Sequence, residues 1–348
     1  MRDSQSGSMK LGSQTEAQTT ISIVMPLFNK EKEVCRAVQS VLNQTVRDFE
    51  LLVVNDGSTD KGPHLVRKMN DPRIRLIEQR NSGVSAARNR GIEEARAEIV
   101  AFLDADDEWL PNFLFTINKL WSHYPHCSVF ATNYLHRNVN GFLMPTILRG
   151  LPKAPWEGVL EDYFKVASHS DPPIWSSAVA ARKEALVSFE GFPVGVTAGE
   201  DLLTWAKLAS RYKIAYSTQP AAIFNLRESS WGHPTRTPDS VDIVGRELEK
   251  MLNKGANEKI SGLKEYIARW HQMRASVFLR LGKRKEAIFE VKKMAKYSKK
   301  NTRLFLFFAI ALLPQRICKW VLSATNYWKY NRRTRISADN PTFIGKFR

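Results

Sequence analysis

The chain has 348 residues, of which 43% are hydrophobic and 25% charged, so one large or two modest globular domains can be built around an ample core. Its formal net charge of +17 is unevenly spread: from Val241 onward there are 25 Lys and Arg against 8 Asp and Glu, which leaves the first 240 residues neutral. The three widely spaced cysteines, Cys35, Cys127 and Cys318, offer neither a disulfide framework nor metal-ligand spacing, which suits a reducing compartment.

Residues 1–19 are polar and lack the apolar core of a signal peptide; they are predicted as a disordered leader. Residues 21–26 form a β-branched run that stops at Pro26, as a buried strand does. Asn29 is then placed to cap a helix whose apolar positions Val34, Ala37, Val38, Val41 and Leu42 keep helical spacing. A second strand over 49–54 ends in Asn55-Asp56-Gly57-Ser58. A third, over 74–77, leads through Asn81-Ser82-Gly83 into a helix over 84–95. The fourth, over 98–103, runs into Asp104-Ala105-Asp106-Asp107, and a helix begins near Leu110-Pro111. This alternation predicts βαβ units and a mostly parallel sheet covered on both faces. Ligands in such sheets sit beyond the carboxyl ends of the strands, so residues 26–29, 56–58 and 104–107 are expected along one edge.

Farther on, the pattern gives a short helix over 160–166, a strand over 174–180, a helix from Arg182 and a loop over 191–195. Gly199-Glu200-Asp201 opens an amphipathic helix; two short strands follow at 214–216 and 222–224, then a polar loop over 227–238. From Val241 the pattern is helical and basic, with a helical hairpin predicted over 267–281 and 287–297. Residues 304–313 are ten consecutive apolar positions closed by Pro314. A membrane-spanning helix needs about 20.

Three carboxylates within four positions, Asp104, Asp106 and Asp107, repel one another unless a positive charge sits among them. A hard divalent cation is one partner for such oxygens; a solvated turn capping the next helix is the other reading. Asp56 after a strand can accept hydrogen bonds from a nucleobase, and Gly57 lets backbone approach a ligand, although both also suit an ordinary turn. Arg88, one turn into its helix, can meet phosphate oxygens or simply face solvent. Glu200 and Asp201 at a helix start either complement the helix dipole or provide a base. Together these groups suit transfer from a nucleotide-diphosphate donor to a hydroxyl.

Four segments in order carry a specific resemblance: Ser22-Ile-Val-Met-Pro-Leu-Phe-Asn29, Val54-Asn-Asp-Gly-Ser-Thr-Asp60, Asn81-Ser-Gly-Val-Ser-Ala-Ala-Arg-Asn-Arg-Gly91 and Phe102-Leu-Asp-Ala-Asp-Asp107. With Gly199-Glu200-Asp201, they resemble family 2 glycosyltransferases, the inverting family with the Rossmann-like type A glycosyltransferase fold. Asn55 stands where many members carry a first Asp. The resemblance implies a catalytic domain over 20–235, with a nucleotide-binding half to 111 and an acceptor half after it, followed by a basic helical region over 236–348. It implies a nucleotide-sugar donor, UDP-linked, bound by Pro26, Leu27, Phe28, Asn29, Asp56, Gly57, Arg88, Asn89, Asp104 and Ala105. Asp106 and Asp104 are the implied ligands of Mn²⁺ or Mg²⁺, Asp201 the implied base and Glu200 its orienting neighbour. Arg227 or His233 could reach the diphosphate from the polar loop. The alternative is an inactive nucleotide-sugar-binding or scaffold protein of the same fold.

The basic excess suggests an anionic surface, and no nucleic-acid-binding motif accompanies it. Lys292, Lys293, Lys296, Lys299, Lys300 and Arg303 precede the apolar run; Arg316, Lys319 and several aromatics follow it. Cations flanking a short apolar segment are expected to anchor the chain to the cytoplasmic face of an inner membrane, near a saccharide or lipid-linked acceptor of surface-polysaccharide synthesis. The competing reading is a core helix packed against the catalytic domain.

Overall fold

The computed structural model describes residues 21–226, 237–254, 260–298, 301–322 and 324. The leader over 1–19, Arg227 and His233 lie outside these residues. The first half alternates strand and helix as the periodicity predicts: β1 (Ile21–Leu27), α1 (Val34–Leu42), β2 (Phe49–Asp56), α2 (Gly62–Lys68), β3 (Ile74–Gln79), α3 (Val84–Glu94) and β4 (Ile99–Phe102). Next come β5 (Glu108–Trp109), α4 (Phe113–His123), β6 (Val129–Arg137), β7 (Leu143–Pro145), β8 (Glu157–Val159), α5 (Tyr163–His169), β9 (Val179–Arg182), α6 (Lys183–Val187), α7 (Glu200–Ala209) and β10 (Ile214–Asn225). Helices α8 (Ile243–Lys254), α9 (Leu263–Arg280), α10 (Arg284–Tyr297) and α11 (Asn301–Leu312) follow.

The ten strands of the described residues join one sheet in the order β3-β2-β1-β4-β9-β6-β10-β5, with β7 beside β6 and β8 beside β10. β3, β2, β1 and β4 are parallel, as are β6 and β10, while β9 runs antiparallel between the two groups. Side chains alternate across the sheet with a period of two. Ile21, Ile23 and Met25 join the core under α1 and α4, whereas Val24, Leu52, Val100 and Phe102 join the opposite core with α3, α5 and α7. There Phe102, Phe192 and Trp205 pack edge to face or tilted, with centroids 5.3–5.9 Å apart.

Local chemistry overrides several expectations. Asn29 does not cap α1, which begins at Val34; it takes a left-handed φ of 51° and turns its side chain to the β2 loop. β10 is one strand of 12 residues rather than two, because register shifts around Pro220 absorb a residue that cannot donate to the ladder. Residues 108–109 make a two-residue strand on β10 rather than a turn. The helix expected over 160–166 starts later, at Tyr163, and part of the strand expected over 174–180 is a 3-10 turn, Ser176–Ala178.

The larger core continues past residue 235: Val244 and Leu248 of α8, and Leu263, Tyr266, Ile267 and Trp270 of α9, belong to it. A second, smaller core joins the end of α9 to α10 and α11. It takes in Phe307, Ile310 and Ala311 from the ten-residue apolar run, whose Leu306 and Leu312 stay exposed. One face of that run is therefore core, but it packs on the neighbouring C-terminal helices α9 and α10 rather than, as the competing reading expected, on the catalytic domain. Between the two cores lies a buried ionic cluster. Glu290 of α10 accepts from Arg274 Nε (2.8 Å) and lies 2.7 Å from His271 Nδ1, while Asp242 accepts from Trp270 Nε1 (3.1 Å).

Gly91 supplies the closest approach of α3 to the sheet. A Cβ there would overlap the side chain of Val24. Alanine in a helix is ordinarily favoured over glycine by about 1 kcal/mol, but overpacking a core costs about 1–3 kcal/mol. Gly91→Ala should therefore lower the melting temperature, and combining it with Val24→Ala should cost less than the two changes added, as read by a thermal double-mutant cycle. An additive cycle would show that the two side chains do not meet.

Candidate functional site

A cleft of about 850 Å³ opens at the carboxyl ends of β1, β2 and β4. Of the expected donor residues, Pro26, Leu27, Phe28, Asp56, Arg88, Asp104 and Ala105 line it, together with Asp106 and Glu200. Asn29, Gly57, Asn89 and Asp201 are not part of its lining. Asn29 joins two of the loops: its Oδ1 accepts from Thr59 N (2.8 Å) and its own N–H donates to Ser58 Oγ (3.1 Å). Gly57, at φ 72°, lets the β2 loop pass Asn81, whose nitrogen would lie 2.8 Å from an added Cβ. Asn89 pairs both ends of its amide with the backbone of Phe192, at 2.7 and 2.8 Å, and so fixes the 191–192 turn rather than a ligand.

Asp56 is buried and already serves three donors, Gln79 Nε2 and the amides of Ser82 and Gly83, at 2.7–2.8 Å. A carboxylate has about four acceptor positions, so it holds the 81–83 loop and keeps about one for a ligand. Gly83, with φ 89°, then starts α3 and brings Arg88 inward.

Arg88 is 3% exposed. Its Nη2 lies 2.7 Å from Asp104 Oδ1 and its Nη1 3.3 Å from Glu200 Oε1, while its guanidinium covers the Phe192 ring at 5.0 Å. Burial works against its charge, but Asp104, Glu200 and Asp201 outweigh that and raise its pKa above the ordinary value. The sequence could assign Arg88 to the cleft, yet not to this pairing across 112 positions.

The three acids of the β4 loop separate into two roles. Asp107 is buried and accepts from Ser177 Oγ (2.6 Å), Trp175 Nε1 (3.0 Å) and Asn225 N (3.1 Å), which makes it a structural tie. Burial, then Asp106 and Asp104, push its carboxyl well above the usual range. Asp104 and Asp106 face the cleft. Burial and the charge of Asp104 raise Asp106 to about 6, and Lys30 Nζ sits 2.8 Å from its Oδ2. Carboxylate oxygens are hard donors that suit Mg²⁺ or Mn²⁺. The pair fits such a cation, with Lys30 as a cationic neighbour that the sequence reading missed.

Asp242, His271 and Glu290 are a second set whose composition could hold a metal. Arg274 already supplies their positive charge, 2.8 Å from Glu290 and 3.6 Å from Asp242. The cluster instead connects to the cleft wall. Arg274 Nη2 donates to the Asp239 carbonyl (3.1 Å), and the Asp239 carboxylate accepts from Thr197 Oγ1 (2.6 Å).

Gly199 begins α7 at φ 85°, with the Trp270 ring occupying the space a Cβ would take. Glu200 turns to Arg88, whereas Asp201 accepts from Ser176 Oγ at 3.2 Å. Burial, followed by the charge of Asp201 and opposed by Arg88, raises Glu200 to about 7. Burial also raises Asp201, against the pull of Arg88. The folded chain thus holds a proton on Glu200 between about 4.5 and 7, where the unfolded chain has released it. Its contribution is neutral below that window and destabilising above it. Glu200→Gln should therefore flatten the decline in melting temperature from pH 4.5 to 7; an unchanged slope would show that Glu200 does not titrate there.

The family model for glycosyl transferase family 2 matches residues 22–185. A putative colanic acid biosynthesis glycosyl transferase, WcaA of Escherichia coli, is 36% identical over 141 residues, covering 39% of this chain and 50% of that protein. An uncharacterized glycosyltransferase of Rickettsia bellii is 28% identical over 204 residues, 55% of this chain and 26% of its own length. The chain thus spans between a quarter and a half of these relatives. The crystal structure of Staphylococcus aureus TarS 1-349 is 19% identical with a TM-score of 0.59, over 90% of this chain and 91% of that one, and shares the fold. The same TarS fragment has been solved with UDP-GlcNAc, at 18% identity and a TM-score of 0.59, covering 90% of this chain and 92% of that one. Over residues 22–185 this chain is therefore similar to glycosyl transferase family 2, and it has the type A glycosyltransferase fold.

Proposed function

We propose that the chain transfers a sugar from a UDP-linked donor to a hydroxyl acceptor, with inversion at the anomeric carbon. The observation that carries this reading is the pairing of Arg88 with Asp104 on one side and Glu200 on the other, which joins the acid loop to the start of α7. In this reading Pro26, Leu27, Phe28 and Asp56 hold the nucleoside and Arg88 fixes the two carboxylates. A divalent cation held by Asp104 and Asp106 would neutralise charge building on the departing diphosphate. Asp201 takes the proton of the attacking hydroxyl, its raised pKa making it a better base than an exposed aspartate. The TarS fragment solved with UDP-GlcNAc and with UDP supports the choice of donor, and the name of WcaA supports polysaccharide synthesis as the setting.

Asp201→Asn should reduce transfer about 10²–10⁴-fold, the usual worth of a general base, while UDP affinity by calorimetry stays within about threefold of wild type. Transfer at the wild-type rate would take the base role from Asp201. Loss of UDP binding in the wild-type chain with Mn²⁺ or Mg²⁺ present would remove the donor assignment.

For the setting at the cytoplasmic face of a membrane, support comes from the end of α11 and the helical segment over 315–322 that follows it. Leu312, Ile317 and Trp320 are 78%, 46% and 70% exposed, beside the exposed cations Arg316 and Lys319. Among the described residues no helix is long and apolar enough to cross a membrane, so this surface would lie on the bilayer. The full chain should sediment with phosphatidylglycerol vesicles at low salt, and replacing all three apolar residues with Ser should release it. Equal sedimentation of the triple variant would rule out this surface.

A further inference from the structure

A second, smaller pocket lies on the other side of α7. Its wall includes Leu202 of α7, Tyr163 of α5, and Tyr266, Trp270 and Met273 from one face of α9. Glu200 lines the large cleft and Leu202 the small pocket. Two positions along an α-helix turn the side chain through about 200°, so the two openings flank the start of α7, with Asp201 between them.

The pocket contains an anomaly. The Tyr163 hydroxyl is buried and makes no hydrogen bond of ordinary geometry, with the Tyr266 hydroxyl as a close neighbour. Tyr266 donates to the Leu202 carbonyl at 3.4 Å, with the Tyr163 hydroxyl beside it. Burial above all keeps both phenols protonated, and the nearby charge of Asp201 adds to it. Two phenols beside a carboxylate, one with no partner of ordinary geometry among the described residues, leave hydrogen-bonding capacity that a ligand can complete.

We propose that this pocket receives the hydroxyl-bearing edge of a saccharide acceptor, with Tyr163 and Tyr266 bonding its oxygens and the α9 aromatics meeting its C–H face. The inference rests on the glycosyl-transfer reading above and adds where the acceptor lies and which residues select it. Size narrows the ligand. The pocket has about 40 Å³ of free volume, and a water needs about 10–15 Å³ on this measure, so it admits one or two hydroxyl-bearing carbons and no nucleotide. A purely apolar ligand would leave the Tyr163 hydroxyl unpaired. The α9 contribution also gives the C-terminal helices a part in acceptor choice, through residues whose positions are held by the cluster of Asp242, Arg274 and Glu290.

The test uses the full chain and a panel of methyl hexosides and methyl N-acetylhexosaminides, observed by saturation-transfer NMR with and without saturating UDP and Mg²⁺. At least one glycoside should give a signal that persists with UDP, weakens at least fivefold in Tyr163→Phe and disappears in Ala167→Trp, where the added ring fills the pocket that Ala167 lines. UDP affinity and melting temperature serve as controls, and Tyr163→Phe keeps the packing should the larger substitution unfold the chain. Signals that UDP abolishes, signals indifferent to both variants, or no signal from the panel would each overturn the proposal. Failure of UDP itself to bind would instead strike at the donor reading, which keeps the two outcomes apart.

Discussion

The site depends on one buried cation. Arg88 is removed from water, and an isolated guanidinium could not remain there; it does so because Asp104 and Glu200 approach it from separate parts of the chain. The dependence is mutual. Glu200 stays partly protonated near neutrality even with Arg88 beside it, so without the arginine the start of α7 would have still less reason to hold two adjacent carboxylates. Truncating one member of such a buried pair usually costs about 3–5 kcal/mol, a large part of a domain's stability. Catalytic geometry and fold stability are therefore tied together at this arginine.

Around it, electrostatic work is divided among elements that each do one thing. Asp56 orders the loop that aims α3, and Asp107 ties the acid loop to Trp175, Ser177 and Asn225. Asp104 and Asp106 are left facing the cleft beside Lys30 and Arg88, and burial, followed by the charge of Asp104, raises Asp106.

Much of this was legible in the sequence because it is local. Short apolar runs separated by helical periods gave β1 to β4 and hence the sheet edge where the motifs meet. Pairings between distant residues were not legible. Nothing near Asp106 marks Lys30 as its partner 76 positions away, and Asp104, Asp106 and Asp107 look alike until tertiary partners remove Asp107 from the cleft. Asn29 misled because asparagine suits both a helix cap and a left-handed turn, and Pro220 because a strand that bulges around proline reads as two. In the apolar run over 304–313, the sequence could not separate the face that packs inward, Phe307 and Ile310, from the face that does not, Leu306.

The ties of Asp107 also bear on the order of folding. β1 to β4 pair through parallel neighbours drawn from the first hundred or so residues, and this unit can assemble early. The acid loop that ends it cannot be completed then. Trp175 and Ser177 lie 68 and 70 positions later, and Asn225 lies 118 positions later, on a strand that also has to pair with β5 and β6. Contacts this distant in sequence close late, after their loop-closure entropy has been met. A nascent chain therefore carries its three carboxylates uncoordinated until β10 docks, and the last strand of the sheet brings the acid loop to its functional shape.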